Sequence, residues 1–364
     1  MGRPLTIAAL LALVGCASNP QPALRKAAAY LWSRQGADGG WHSRTYGLLR
    51  SGQSLTPFVL DALLEVPEDA YPQPVADVNR AVAFILNHTQ QDGALGTADR
   101  DTPDYPNYST ALAVSALCRA HRAEYQAQIL RMVAYLRLQQ FTEQNGWRPR
   151  DRAYGAWGMG GDRRLPPDTG HVDLSMTRYV LDALRAAGAA ESDPAFARAR
   201  VFVERCQNFD AERPLDADGG FFFSTTEADT NKAGQDGNHF RSYGTTTADG
   251  ILALLATGHT LTEPRVIAAQ SWLTSHHRDM DVPGFAGEAY ARWPRGLAFY
   301  YSASSARAFR ALAVSAGDGV VRGLRRTQRG DGSWANLENL VKEDDPLIAT
   351  PFGLRALVSA QAWR

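Results

Sequence analysis

The chain has 364 residues, with 38 Lys plus Arg set against 38 Asp plus Glu, so its formal net charge is zero. Such a balance supplies no basic face of the size nucleic acid requires, which argues against a nucleic-acid partner. With 45% hydrophobic and 21% charged residues, the chain can bury a large core and departs from the composition of disordered proteins.

In chain order, Arg3 is followed by an apolar run over 5–14. The run is too short to span a bilayer but suits the hydrophobic region of a secretory signal. It ends in Leu13-Val14-Gly15-Cys16, which resembles the lipobox of bacterial lipoproteins. The resemblance implies cleavage before Cys16 and acylation of its thiol. That divides the chain into a signal peptide over 1–15, a lipidated linker over 16–21 and a single domain over 22–364. An ordinary signal with an incidental cysteine is the bland alternative. The implied address is the bacterial cell envelope, with the membrane as a partner through the lipid. Ala17 is not the Asp that favours inner-membrane retention, so the outer membrane is expected. Cys118 and Cys206 fall on non-neighbouring repeats, where a disulfide is not expected.

The remainder is organised by a repeat. Amphipathic first helices carry Tyr30-Leu31, Phe84-Ile85, Tyr135-Leu136, Phe202-Val203, Trp272-Leu273 and Val321 to Leu324. Gly-rich turns follow at Gly39-Gly40-Trp41, Asp92-Gly93, Asn145-Gly146-Trp147, Gly219-Gly220-Phe221, Gly284-Phe285 and Gly332-Ser333-Trp334. Second helices align on Ala62, Ala116, Ala183, Ala253, Ala311 and Ala356, each followed by Leu. Six positions before these anchors stand Thr56, Thr110, Thr177, Thr247, Ser305 and Thr350, hydroxyls whose default role is local hydrogen bonding. Six helix pairs predict an all-α barrel. The terminal repeats are as apolar as the others, which favours a closed (α/α)6 toroid over an open solenoid with polar caps.

The run Lys26-Ala27-x-x-Tyr30-Leu31, Gln35, Gly39-Gly40-Trp41, echoed by Gln328, Gly332 and Trp334, resembles the QW repeat of squalene and oxidosqualene cyclases. A looser form occurs in protein prenyltransferase β subunits. The resemblance implies a toroid whose second helices form an inner ring around a cavity. The catalytic signatures of the superfamily do not carry over. Cyclases protonate substrate with an Asp-x-Asp-Asp-Thr motif, and here the matching stretch is Asp173-Leu174-Ser175-Met176-Thr177, with Ser175 at the donor position. The prenyltransferase zinc set needs Asp-x-Cys, which is absent, as is the Cys-Gly-Glu-Gln thioester of complement-type toroids. No metal or cofactor is expected.

Positions four and one before the Ala anchors predict the lumen, because they share a helical face with the cyclase donor position. They bring Asp61, Asp182 and Asp249 together with Arg307, Arg310 and Arg355, and so predict a polar central cavity. Two readings of those charges stay open: an internal ion-pair network, or a pocket for a carboxylate or phosphate. For the pocket, Asp173 and Asp249 are the candidate acid and base, and Arg307 and Arg310 the anion anchors. Tyr179 and Tyr243 would line it, and the Gly-rich loop of repeat three would add Trp157 and His171. The function expected is binding or processing of an unknown small molecule in an envelope lipoprotein. A structural protein that binds an envelope partner, and a divergent cyclase using Asp249, are the alternatives.

Overall fold

The computed structural model describes residues 19–98, 104–121, 123–212, 217–237, 239–315 and 317–361. The signal region and Cys16 lie outside them. Among the described residues twelve helices, apart from a short one over Trp293–Gly296, alternate between an outer and an inner ring. The outer helices are α1 (Gln21–Ser33), α3 (Val75–His88), α5 (Gln126–Gln139), α7 (Pro194–Arg205), α9 (Pro264–His276) and α11 (Gly317–Thr327). The inner ones are α2 (Leu55–Leu64), α4 (Pro106–Arg119), α6 (Leu174–Ala186), α8 (Gly244–Ala256), α10 (Ala298–Ala311) and α12 (Pro346–Gln361). Every inner helix packs against the next, and α12 returns to pack against α2, so the barrel is closed. None of the described helices is long and apolar enough to cross a membrane. Cys118 and Cys206 are free thiols.

The repeat motif is the joinery of this ring. Trp41 lies fully buried between the two rings, its indole N–H donating to the Leu31 carbonyl at 2.7 Å and its backbone N–H to Thr56 Oγ1 at 3.0 Å. The same backbone donation to the recurring hydroxyl occurs from Leu95 to Thr110, Trp157 to Thr177, Phe221 to Thr247 and Trp334 to Thr350. Ser305 in repeat five departs from this, its buried hydroxyl having no partner among the described residues. In four of the six repeats the glutamine that opens the motif ties its turn to the following outer helix. Gln35 donates to the carbonyls of Gly39 and Asp77, and Gln140, Gln207 and Gln328 repeat the pattern. Because Gln328 reaches Ala23 in α1 at 2.9 Å, the motif also closes the seam between repeats six and one.

In repeat three the turn is not Asn145-Gly146-Trp147. The residue equivalent to Trp41 is Trp157, whose indole donates to Leu136 at 2.6 Å, and the turn glycine is Gly155 with φ +86°. A Cβ on Gly155 would run into the backbone carbonyl of Arg198 in α7, so only glycine lets this turn press against the next outer helix. The earlier Gly-Trp pair belongs to the insertion, where Trp147 packs edge-on against Phe141 at 4.9 Å between ring centres.

Candidate functional site

All six inner helices present their N-terminal turns to one cavity of about 360 Å³, a volume within the range of small-molecule sites. Its wall is mainly aromatic and aliphatic: Phe58, Tyr108, Leu112, Tyr243, Tyr300 and Phe352 come from the inner ring. Phe58 and Phe352 meet edge-on at 4.9 Å across the α2–α12 seam, and Tyr300 tilts against Phe352 at 5.1 Å. The loops above the helices supply Leu49, Met159, Phe223, Leu340 and Val341. The polar lining is limited to Ser54, His171, Asp173, Ser175, Lys232, Thr245 and Lys342.

This corrects the expected lumen map. Of the positions four before the anchors, Phe58, Leu112 and Phe352 reach the cavity, but Tyr179, Asp249 and Arg307 do not line it, nor does any residue one before an anchor. The level that does line it lies about one turn higher, eight before the anchor: Ser54, Tyr108, Ser175, Thr245 and Ile348. In repeat five Tyr300, eleven before its anchor, takes that place on the same face. The cavity is therefore mostly apolar, and the charges predicted for it sit beneath it.

Those deeper charges neutralise one another. Asp61 pairs with Arg355 at 2.5 Å and Arg119 at 3.1 Å, and Glu65 joins the group through Arg119 at 3.3 Å. Asp182 pairs with Arg178 and Arg307, each at 2.8 Å. Burial alone would raise the Asp182 carboxyl, yet the two guanidiniums outweigh it and hold its pKa below the usual range. Arg310 is exposed to solvent and Arg307 faces outward on its pair with Asp182, so neither anchors an anion in the cavity.

Asp249 is wholly buried below the cavity floor. One carboxylate oxygen accepts the hydroxyls of Ser175, at 2.7 Å, and Tyr300; the other accepts Ser304 at 2.9 Å and faces Arg178 at 3.2 Å. Burial, reinforced by the charge of Asp249, raises the Tyr300 phenol well above its ordinary pKa, so it stays a neutral donor. Ser175 and Tyr300 thus form a hydroxyl floor that separates Asp249 from the lumen. Tyr179 lies under Tyr108, 4.6 Å between rings, with the Arg178 guanidinium 3.7 Å above its face. Trp157 is spent on the core.

Three sequence candidates do come together at the rim: His171, Asp173 and Tyr243. Asp173 caps α6, accepting the Met176 N–H at 2.7 Å with one oxygen and His171 Nε2 at 2.9 Å with the other. Glu227 lies 3.4 Å from the second imidazole nitrogen. Burial pushes the His171 imidazolium down, but the Asp173 hydrogen bond and charge, with Glu227 adding, outweigh it and raise its pKa. Lys232, which sequence reasoning missed, stands 3.3 Å over the Phe223 ring beside this pair. Lys342 donates to the Tyr105 hydroxyl at 3.2 Å. Neither lysine carries a repeat signal, since both sit on connecting loops whose course the periodicity does not fix. Asp236 and His239 lie on a small hairpin pairing Gln235–Asp236 with His239–Phe240, and both are exposed.

No protein-family model matches the chain, and no curated protein matches it. Among solved structures it is similar to the type II terpene cyclase MstE from Scytonema in its apo form, at 13% identity and a TM-score of 0.61, over 95% of this chain and 99% of that one. A substituted form of that enzyme, in complex with its substrate geranylgeranyl dihydroxybenzoate, aligns at 12% identity and a TM-score of 0.59, over 96% and 99%. A protein from Actinoplanes aligns at 17% identity and a TM-score of 0.57, over 94% of this chain and all of that one, 100%. The fold is thus a terpenoid-cyclase-like α/α toroid. Identities this low fix the fold and leave the activity to be argued from the site.

Proposed function

We propose that the toroid binds an elongated apolar ligand of the isoprenoid or related lipid class in its aromatic cavity, and holds it without starting a cyclisation. The observation that carries this reading is the pairing of an aromatic wall with a missing acid. Protonating an alkene needs a carboxylic acid kept neutral and aimed into an apolar space. At that position stands Ser175, whose hydroxyl proton is committed to Asp249. Asp173 accepts from a backbone N–H with one oxygen and is hydrogen-bonded to His171 with the other, so it is tied to the rim rather than aimed into the lumen. That the same fold accommodates a geranylgeranyl chain in the Scytonema enzyme supports the ligand class.

The test is native mass spectrometry of the protein extracted from its own cells, beside a Leu112→Trp variant that fills the cavity from α4. A lipid adduct on the wild type that is lost in the variant is the expected result. A cyclised product would replace this reading with catalysis, and a bare protein in both samples would favour a scaffold whose partner binds elsewhere on the toroid. We further propose that the protein is held at the bacterial outer membrane through Cys16. Replacing Cys16 by Ser should then move it from the membrane fraction to the soluble one, and unchanged fractionation would overturn the anchor.

A further inference from the structure

The cavity has an apolar body and a cationic rim. Among the described residues Lys232 has no hydrogen-bond or ion-pair partner; its ammonium rests on the face of Phe223. A cation–π contact compensates only part of the hydration an ammonium loses on burial. Burial accordingly pushes its pKa down to about 8, with Asp173 opposing. Asp173 acts on it only through its charge and makes no contact ion pair with it; its oxygens are turned to His171 and the Met176 N–H. Lys342 brings a second ammonium to the lining, fixed by the Tyr105 hydroxyl and bordered by the rings of Tyr46 and Tyr105 at 5.8 and 5.6 Å. The lining therefore holds two lysines and the His171–Asp173 pair, an excess of positive charge in a space that is otherwise aromatic. The N-terminal ends of the inner helices add a field of the same sign.

We propose that this rim selects an amphiphile with an anionic head, a carboxylate or phosphate held by Lys232 with Lys342 in support, while its apolar chain fills the space between Phe58, Leu112, Tyr243 and Phe352. The inference rests on the lipid-binding reading above and specifies the end of the ligand which that reading leaves open. It also restores, with different residues, the anion recognition that the sequence assigns to Arg307 and Arg310. Those arginines are committed or exposed, whereas Lys232 stands in the cavity without an anionic contact partner among the described residues.

The test uses three probes that share one chain and differ only at the head: farnesoic acid, farnesyl monophosphate and farnesol. Each is titrated calorimetrically into the purified protein and into Lys232→Met and Lys232→Arg variants. Methionine keeps the packing on Phe223 and removes the charge; arginine keeps the charge. One of the two anions, or both, should bind the wild type at least about tenfold more tightly than the alcohol, the scale of one charge-assisted hydrogen bond. The Lys232→Met variant should lose that preference and Lys232→Arg should retain it. A preference for the acid alone or the phosphate alone supports the proposal and identifies the head. Equal affinity for all three probes, or a preference that survives Lys232→Met, overturns the anionic rim while leaving the apolar cavity standing. Failure of all three to bind overturns the lipid-binding reading itself. Melting curves recorded on the same samples separate lost binding from lost folding.

Discussion

Replacing Asp249 by Asn tests whether this carboxylate is a structural hub or a reactive group. In the native ring it is 0% exposed and faces four donors: the hydroxyls of Ser175, Tyr300 and Ser304, and the Arg178 guanidinium. Asparagine keeps the shape but turns one of the two acceptor oxygens into an NH2 donor. On that side two donors then point at a donor. Arg178, itself buried and with an Nε that has no partner, loses one of its two carboxylates while keeping Asp182 at 2.8 Å. Stripping one member from a buried ion pair costs about 3 to 5 kcal/mol. The surviving Asp182 contact places the cost near the lower end, about 3 kcal/mol. With an unfolding entropy of about 2.1 cal/mol/K per residue, a ring of this length loses about 4 °C in Tm for that cost. Circular dichroism melting of the two proteins reads the shift. It should persist at high salt, since buried pairs are only weakly screened. An Asp249→Asn protein that melts together with the wild type would refute the hub.

Two further predictions follow from the joinery and the rim. Gly155→Ala should destabilise the ring more than Asp249→Asn does, because φ +86° disfavours any side chain and the new methyl collides with the Arg198 backbone rather than with a movable side chain. Limited proteolysis of the repeat-three loop should show it, and native-like resistance would contradict the close approach. For His171, whose folded pKa is raised, the stabilisation by Asp173 is fully present below its unfolded value and is lost as pH rises through the folded value. Urea midpoints of the wild type and Asp173→Asn, compared from about pH 5.5 to 8.5, should therefore differ most at the acid end and converge at the alkaline end. Asparagine still caps α6, so parallel curves would mean that the pair contributes only its cap.

How much was legible differs between the fold and the site. The six Ala-Leu anchors, the hydroxyl six residues before each and the Gln and Trp of the turns are enough to count the repeats and to close the barrel. The reason is physical: most of these residues make a contact that recurs within a helix pair or between adjacent ones, so periodicity in sequence maps onto periodicity in space, with Ser305 as a departure. Trp147 is the exception within the repeat, a local Gly-Trp pair that mimics the turn while Trp157 occupies it. Only the hydrogen bonds to Leu136 and Thr177 tell the two apart.

The lumen is harder to read because a helix face extends along its whole length, whereas a cavity occupies one level of it. The spacing predicts Asp61, Asp182, Asp249, Arg307 and Arg355 as lumen residues, but they pair outside the cavity lining, because spacing cannot say at which turn packing ends and space begins. That level is set by how closely the inner helices approach one another and by the insertions that roof them. Asp182 and Asp249 close into pairs below; Ser175 and Tyr300 form the floor; Lys232, Lys342 and Phe223 arrive from loops that obey no period. The sequence by itself determined the paired helices of the repeat and their order, since these rest on local spacing and residue identity. The tertiary structure alone decided that the cavity is apolar and its rim cationic, because burial and pairing are properties of residues brought together from repeats far apart in the chain.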